Sequence, residues 1–482
     1  MRGNRKISAI SENKRTTVEF MDSLATSRDK WIRKNTYYYL DLLKFLRFYI
    51  PENSSILEIG CGTGFVLNSL KPQRGVGIDI SSKMIEGCKK NYPHLEFLQM
   101  DCEELTIEDT FDYVVISDTV GYFEDVQKAL YELQKVCHMD TRIIITFQSF
   151  LWLPLLNLAE ILRMKMPSKK LNWLNHSDIS NLLNLTKYDV VKSGRRFLFP
   201  LHLPIVSWLL NKYVANLPGV NRLCLTNYII ARKENVQEST GNSYRVSVII
   251  PARNEKGNIE NALQRIPVMG KSTEVIFVEG NSVDGTLEEI KKKCSSYRGK
   301  LNLKWAIQDG KGKGDAVRKG VALASGDILM ILDADLAVGP EELPKFYDAI
   351  ASGKGEYVNG SRLTYPMEKE AMRLLNILGN KFFSGMFSWL LGQKLKDTLC
   401  GTKAISKSNW DKLAANRKHF GNFDPFGDFD LIFGSAKLGL KMVEVPVRYV
   451  ARQYGETNIS RFRHGWLLLK MVIFAMNKLK FL

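Results

Sequence analysis

Residues 55–70 read SILEIGCGTGFVLNSL: a mainly apolar run from Ile56 to Ile59, a turn holding Gly60, Gly62 and Gly64, then a helical pattern. An apolar run feeding a glycine-rich turn and a helix is the opening of a βαβ unit. Glycine in such a turn lets the backbone approach a ligand closely, and the following helix offers unbonded N–H groups. Outward from there, GVGID ends a second strand at Asp79, 19 residues after Gly60. One carboxylate at that place can accept from both hydroxyls of a ribose. LEFLQMD ends a third strand at Asp101, followed by Cys102, and FDYVVISD ends a fourth at Ser117 and Asp118. Four strand ends fall on one edge, where open α/β sheets hold their ligands.

The alternation returns in the second half. VSVIIPARNEKGNIENAL (246–263), EVIFVEGNSVDGTLEEI (274–290), KWAIQDGKGKGDAVRKGVALA (304–324) and GDILMILDADLAVGPEEL (326–343) each bring an apolar run before a helical pattern. Between the halves lies polar ENVQESTGNS (234–243). The reading is two tandem α/β domains with parallel sheets, residues 1–235 and 245–482, joined by a linker at 236–244. In a strand, residues i and i+2 face one way, so Asp333 and Asp335 are expected on one side. Two carboxylates so placed call for a hard cation, Mg²⁺ or Mn²⁺, shared with a diphosphate.

At 482 residues the chain has room for two or three domains, and 45% hydrophobic with 25% charged residues excludes a largely disordered protein. Seven scattered cysteines without a C-x-x-C pair argue against a disulfide framework or zinc site and for a reducing cytosol. The start, MRGNRKISAISENKR, lacks an apolar core and is not expected to be a signal peptide. No uncharged apolar run of about 18 residues predicts a transmembrane helix. The net charge of +17 is uneven: 31 Lys and Arg against 26 Asp and Glu up to residue 240, then 37 against 25. From Lys437 to Leu482 nine basic residues face two acidic ones. Such an end suits a polyanionic partner, whether anionic lipid, nucleotide phosphate or nucleic acid; a merely solvated basic face is the alternative.

The first half resembles class I S-adenosylmethionine-dependent methyltransferases over roughly residues 15–235, through E-x-G-x-G-x-G and the spaced acids. The resemblance implies a Rossmann-like fold and S-adenosylmethionine as cofactor. It places Glu58 near the methionine amino group, Gly60, Cys61, Gly62 and Gly64 in the loop, Asp79 with Ile80 at the ribose, and Asp101, Cys102 and Ser117 around the adenine end. A nicotinamide Rossmann domain competes, but its third glycine normally follows after two residues, not one. For the methyl acceptor, His138, His176 and Tyr37, Tyr38 and Tyr39 are candidates, each also readable as structural.

The second half resembles family-2 glycosyltransferases of the GT-A fold over roughly 245–460, and more narrowly dolichyl- and polyprenyl-phosphate sugar synthases. NGSR (359–362), DTLCGTK (397–403) and EVPVRYVARQYGET (444–457) carry this. The resemblance implies nucleoside contacts from Pro251, Ala252, Asn254, Glu255, Glu279 and Asp309, with Lys313 in the nucleotide-sugar site. It implies metal and diphosphate on Asp333 and Asp335, and phosphates surrounded by Arg362, Lys403 and Arg452. Two departures stand out: VEGNSVDGT puts Glu279 and Gly280 where an acidic pair is usual, and T-N-I after Y-G-E lacks a usual lysine, for which Arg461 or Arg463 could substitute. Attack by a sugar hydroxyl needs a base, for which DPFGDFDL offers Asp424, Asp428 and Asp430; a lipid phosphate needs none.

Two apolar stretches remain. FLFPLHLPIVSWLLNKYVANLPGVNR (197–222) reads as a membrane-facing insertion, a contact with the second domain, or a buried helix pair. The end segment 464–482, with Trp466, Lys470, Lys478 and Lys480, reads as an interfacial helix or one packed on its domain. The whole is a bifunctional transferase, cytoplasmic and peripheral on the inner membrane face. It is expected to use a GDP- or UDP-linked sugar and a polyprenyl-phosphate acceptor. The rival is transfer to a glycan hydroxyl, with methylation of the same glycan; a basic nucleic-acid binder is the distant alternative.

Overall fold

The computed structural model describes residues 11–169, 172, 174–234, 243–364, 374–419, 429–450, 452, 454 and 461–481. The chain divides into two compact units, the first running to Glu234 and also taking Phe481 at the far end, the second running from Asn235 to Lys480. Most of the expected linker, Asp424 and Asp428, and residues 455–460 lie outside the described residues, as do the side chains of Arg461 and Arg463.

In unit 1, helices Glu12–Leu24, Arg28–Lys34 and Thr36–Tyr49 precede seven strands. These are β1 Ser55–Ile59, β2 Arg74–Asp79, β3 Glu96–Gln99, β4 Phe111–Ser117, β5 Cys137–Gln148, β6 Tyr188–Arg196 and β7 Thr226–Lys233. The order is β3-β2-β1-β4-β5-β7-β6, parallel from β3 to β5. The expected all-parallel sheet is corrected at its edge, where β7 pairs antiparallel with both β5 and β6. A parallel return needs a crossover packed on the sheet. The segment between β6 and β7 holds only short helices with few buried residues. Its predicted alternative of a buried helix pair is also corrected: Leu201, Leu203, Ile205, Trp208 and Leu209 are exposed.

Unit 2 holds β8 Arg245–Ala252, β9 Ser272–Glu279, β10 Asn302–Ile307, β11 Ile328–Ile331, β12 Tyr357–Ser361, β13 Lys403–Ser406 and β14 Met442–Pro446. Their order is β10-β9-β8-β11-β13-β12-β14, with β13 antiparallel to both neighbours. Strands covered on both faces read as continuous apolar runs, and Val248–Ile250, Val275–Val278 and Ile328–Leu332 are all buried. In each sheet the strand order reverses between two central strands, β1 and β4 or β8 and β11, and such a switch point opens a crevice at the carboxyl ends of the strands. The final helix, Arg461–Ala475, packs on helix Leu374–Leu391 through one face, burying Leu468, Met471, Val472 and Ala475; Trp466, Leu469 and Ile473 stay exposed. No described helix is long and apolar enough to cross a membrane.

Candidate active sites

In unit 1 the turn after β1 runs through positive φ at Gly60 (70°), Gly62 (53°) and Gly64 (76°), a region costly for other residues. At Gly60 a Cβ would stand 2.2 Å from the Thr119 side chain, so space as well as conformation demands glycine. Asp79 ties this turn down: one carboxylate oxygen accepts from the Gly62 N–H (2.9 Å), the other from Ser81 N–H (2.9 Å). Cys88 donates to the Gly62 carbonyl (3.0 Å). Glu58 is buried on β1 and accepts from the Leu67 N–H at 3.0 Å, at the head of the helix. Burial, with the nearby Asp79 charge, pushes its carboxyl up to about 8, against the Leu67 bond and Arg28. Burial also raises Asp79 and Asp118.

Glu58, Asp79 and Asp118 line one cavity of about 520 Å³, together with Gly60, Cys61, Gly62, Ile80, Asp101, Cys102 and Ser117, whereas Gly64 is not among its lining residues. Asp101 is held by Lys14 from the first helix (2.6 Å), which also reaches Glu103 (2.8 Å). Tyr37, Tyr38 and Tyr39 line it too, and the Tyr38 hydroxyl donates to Asp118. His138 and His176 do not: His138 is the second residue of β5, with its Nε2 3.5 Å from Asp112, and His176 opens a helix. Sequence reasoning missed Arg28, whose half-buried guanidinium lies in the field of Tyr39, Tyr122, Asp79 and Asp118, and His202, whose ring lies 5.1 Å from Tyr37. Both arrive from outside the βαβ core, where no local spacing announces them.

In unit 2 the acidic pair departs from expectation. β11 ends at Ile331, so Asp333 and Asp335 sit in the turn beyond the strand, where alternation no longer fixes their directions. The turn is closed by Leu336 N–H to the Asp333 carbonyl (3.2 Å) and Ala337 N–H to the Asp335 carboxylate (3.1 Å). Each carboxylate meets its own cation: Lys313 lies 2.7 Å from Asp333, Arg452 2.5 Å from Asp335. Burial works against both charges. Lys313, with Lys403 and Arg362, more than offsets it and holds Asp333 below the usual carboxylate range. Asp335, buried and facing Asp333, is pushed up despite Arg452. Gly401 closes over the pair, with its added Cβ 1.8 Å from an Asp333 oxygen.

Arg452 also approaches Glu255 (3.9 Å), which accepts from Asn258 (2.7 Å). Asn254, at φ 56°, receives the Val283 N–H (2.9 Å), and Glu279 receives the Ser282 N–H (2.5 Å). Gly280 donates to the Ala252 carbonyl next to Pro251 (2.9 Å). The ends of β8 and β9 are thus stitched together beside the acidic turn. Asp309 differs, with a 77% exposed side chain paired to Lys319 (2.9 Å). Arg362 gives its fork to the fully buried Asp397 (2.7 and 2.8 Å), and buried Lys403 donates to the Cys400 carbonyl. Both therefore brace the 397–403 loop and reach Asp333 through its field. Asp430 pairs with Arg417 (3.0 Å), and burial raises its carboxyl.

A Rossmann-like, methyltransferase-type unit followed by a GT-A-like unit is what these two sheets and crevices define. Residues 57–145 match the family model described as a methyltransferase domain, and residues 247–410 that of glycosyl transferase family 2. The chain joins a methyltransferase domain to a family-2 glycosyltransferase domain. Unit 2 is similar to a dolichol-phosphate mannosyltransferase of Pyrococcus furiosus, 29% identical over 47% of this chain and 64% of that protein. It is also similar to an undecaprenyl-phosphate mannosyltransferase of Micrococcus luteus, 26% identical over 45% of this chain and 88% of that one. Among solved structures, a SAM-dependent methyltransferase of Thermotoga maritima, described as a possible histamine N-methyltransferase, aligns with TM-score 0.36 and 18% identity over 45% of this chain and 99% of its own.

Proposed function

We propose that unit 2 transfers a sugar from a nucleoside-diphosphate donor to a polyprenyl phosphate, and that unit 1 methylates an acceptor with S-adenosylmethionine. The observation that carries the first half is the turn Asp333–Asp335, its carboxylates partly exposed and flanked by Lys313 and Arg452 at a switch point, in a domain whose relatives bear lipid-phosphate sugar transferase names. Two hard carboxylate oxygens fit a divalent ion that takes its remaining ligands from substrate phosphate and water, as Mg²⁺ commonly does. No third His, Cys, Asp or Glu joins them among the described residues. Asp333 and Asp335 would hold Mg²⁺ or Mn²⁺, which supplies charge stabilisation to the departing diphosphate.

Asn254, Glu255 and Glu279 shape the nucleoside end, while Lys313 and Arg452 supply positive charge where the diphosphate would lie. A lipid-phosphate oxygen, already anionic, forms the new bond to the anomeric carbon as the bond to the donor phosphate breaks, with inversion. No general base is required, in keeping with an Asp430 already engaged by Arg417. The glycan-hydroxyl reading would need one. In unit 1, Glu58 pairs with the methionine ammonium and Asp79 with the ribose, while Tyr38 and Asp118 stand where an acceptor proton could leave. The chain works as a peripheral protein on the cytoplasmic membrane face, its last helix offering Trp466, Leu469 and Ile473 outward. GDP- and UDP-linked sugars should be presented with undecaprenyl or dolichyl phosphate: label entering the organic phase supports this reading, and label entering only soluble glycan supports the rival.

A further inference from the structure

Unit 1 carries an apolar surface that its fold does not use. The nine-residue helix Leu153–Ile161, LPLLNLAEI, buries none of its residues. A surface helix normally hides one apolar stripe, yet Leu151, Leu155, Leu158 and Ile161 are all exposed. The second piece is the segment between β6 and β7, where Leu201, Leu203, Trp208 and Leu209 face outward. There Ile205, 78% exposed, sits at φ 67°, a conformation a β-branched residue rarely adopts. The pieces are tied together, the Trp152 indole donating to the Leu223 carbonyl (2.7 Å) and Ser149 N–H to that of Leu225 (2.6 Å).

Together they rim the cavity that contains the glycine loop: Leu155, Leu156, Ala159, Pro200 and Leu201 line its wall. Soluble proteins rarely leave so contiguous an apolar surface open unless something docks on it. Charge selects the occupant. Residues 150–169 and 197–225 hold Arg163, Lys165, Lys169, Lys212 and Arg222 against a single acid, Glu160, itself 3.5 Å from Lys165. Lys212 lies over the half-exposed Trp208 ring (5.6 Å), an aromatic body with a cation beside it, as interfacial segments have at the headgroup level. An apolar patch edged almost wholly by cations matches a layer of hydrocarbon below anionic headgroups.

We propose that helix Leu153–Ile161 and segment 198–223 form a collar that seats the mouth of the unit 1 cavity on an anionic lipid bilayer. With the exposed face of the last helix, the protein would then have two membrane-binding stretches. Molecules reaching the methyltransferase cavity would then come from the bilayer surface.

The test uses the full-length protein, the Gly465–Leu482 deletion, and phosphatidylglycerol or phosphatidylcholine vesicles. Ile161→Asp and Ile205→Asp alter exposed residues outside the cavity wall. Each should lower partitioning onto phosphatidylglycerol vesicles roughly tenfold or more, the effect of losing one buried aliphatic side chain. Affinity for S-adenosylhomocysteine, measured by calorimetry, should stay unchanged. The deletion should retain binding, the double variant made in that deletion should lose it, and wild-type binding should weaken on phosphatidylcholine and at high salt. Should either variant lose cofactor affinity, brominated lipids decide the matter: in the deletion, which lacks Trp466, they should quench tryptophan fluorescence, and Trp208→Phe should reduce that quenching. Unchanged sedimentation of the double variant in the deletion background, absent quenching there, or a shift of oligomeric mass instead of vesicle binding would each overturn the collar. Sugar transfer to a water-soluble short-chain polyprenyl phosphate is indifferent to the collar, so the reading of unit 2 stands or falls apart from it.

Discussion

Glu58 offers a test in which the sign of an electrostatic effect is decisive. Its carboxyl is buried, and in the unliganded unit it is pushed up to about 8. Below that pH the group carries a proton. A cationic ammonium placed beside it favours the ionised form, so binding must expel the proton, and affinity must rise with pH. From pH 5.5 to 7.0 the ionised fraction grows about 30-fold for a group titrating near 8, and the association constant of S-adenosylhomocysteine should follow. Calorimetry in buffers of different ionisation enthalpy should also count close to one proton released. Glu58→Gln cannot ionise, so its affinity should stay flat across this range and release none. The same linkage acts on stability. The folded unit holds a proton that the unfolded chain gives up near 4.5, so unit 1 loses stability as pH climbs from there to about 8, by about 5 kcal/mol at most. A pH-independent affinity in the wild type, or an equal slope in Glu58→Gln, would refute the placement of the ammonium at this carboxylate.

Asp79→Ala should cost S-adenosylmethionine binding about 2–4 kcal/mol by calorimetry, since it removes the ribose acceptor and frees the Gly62 and Ser81 N–H groups, while sugar transfer continues. Gly401→Ala places a methyl where an Asp333 oxygen stands, so the carboxylate must shift; turnover of sugar transfer should fall about 100-fold with unit 1 still binding cofactor. Asp335→Asn should abolish transfer and remove any gain in nucleotide-sugar affinity from Mn²⁺; a variant turning over at the wild-type rate contradicts the metal assignment.

Much of this was legible from residues alone because the parts that hold ligands are local. The turn Gly60–Gly64, Asp79 at the end of β2, and Asn254 and Glu255 after β8 each follow a strand within a few residues, so the apolar run fixes where they stand. Strand polarity was less legible. β7 carries an apolar run, Tyr228–Ala231, as the parallel strands do, and β13 is only the four residues Lys403–Ser406, so in neither does the residue pattern reveal the antiparallel direction. Direction failed at Asp333 and Asp335 for a related reason: the ladder stops at Ile331, two residues before the first carboxylate. Partners distant in sequence were not readable at all. Arg28 and Lys14 reach the unit 1 cavity from helices before the sheet, and Asp397 takes the Arg362 fork across 35 residues. The stretch 197–222 was visible as an anomaly, but its exposure emerged only with the fold.

The central claim concerns the acceptor and the acidic turn together, and one measurement addresses both. Wild type and Asp333→Asn are incubated with a radiolabelled nucleotide sugar, undecaprenyl phosphate and Mn²⁺, with and without EDTA, and label is counted in the organic phase. The account predicts lipid-borne label with the wild type and Mn²⁺ alone, and none in the variant or with EDTA. Organic-phase label at an undiminished rate in EDTA or in Asp333→Asn, or no organic-phase label with any GDP- or UDP-linked sugar offered to the wild type with Mn²⁺, would contradict it.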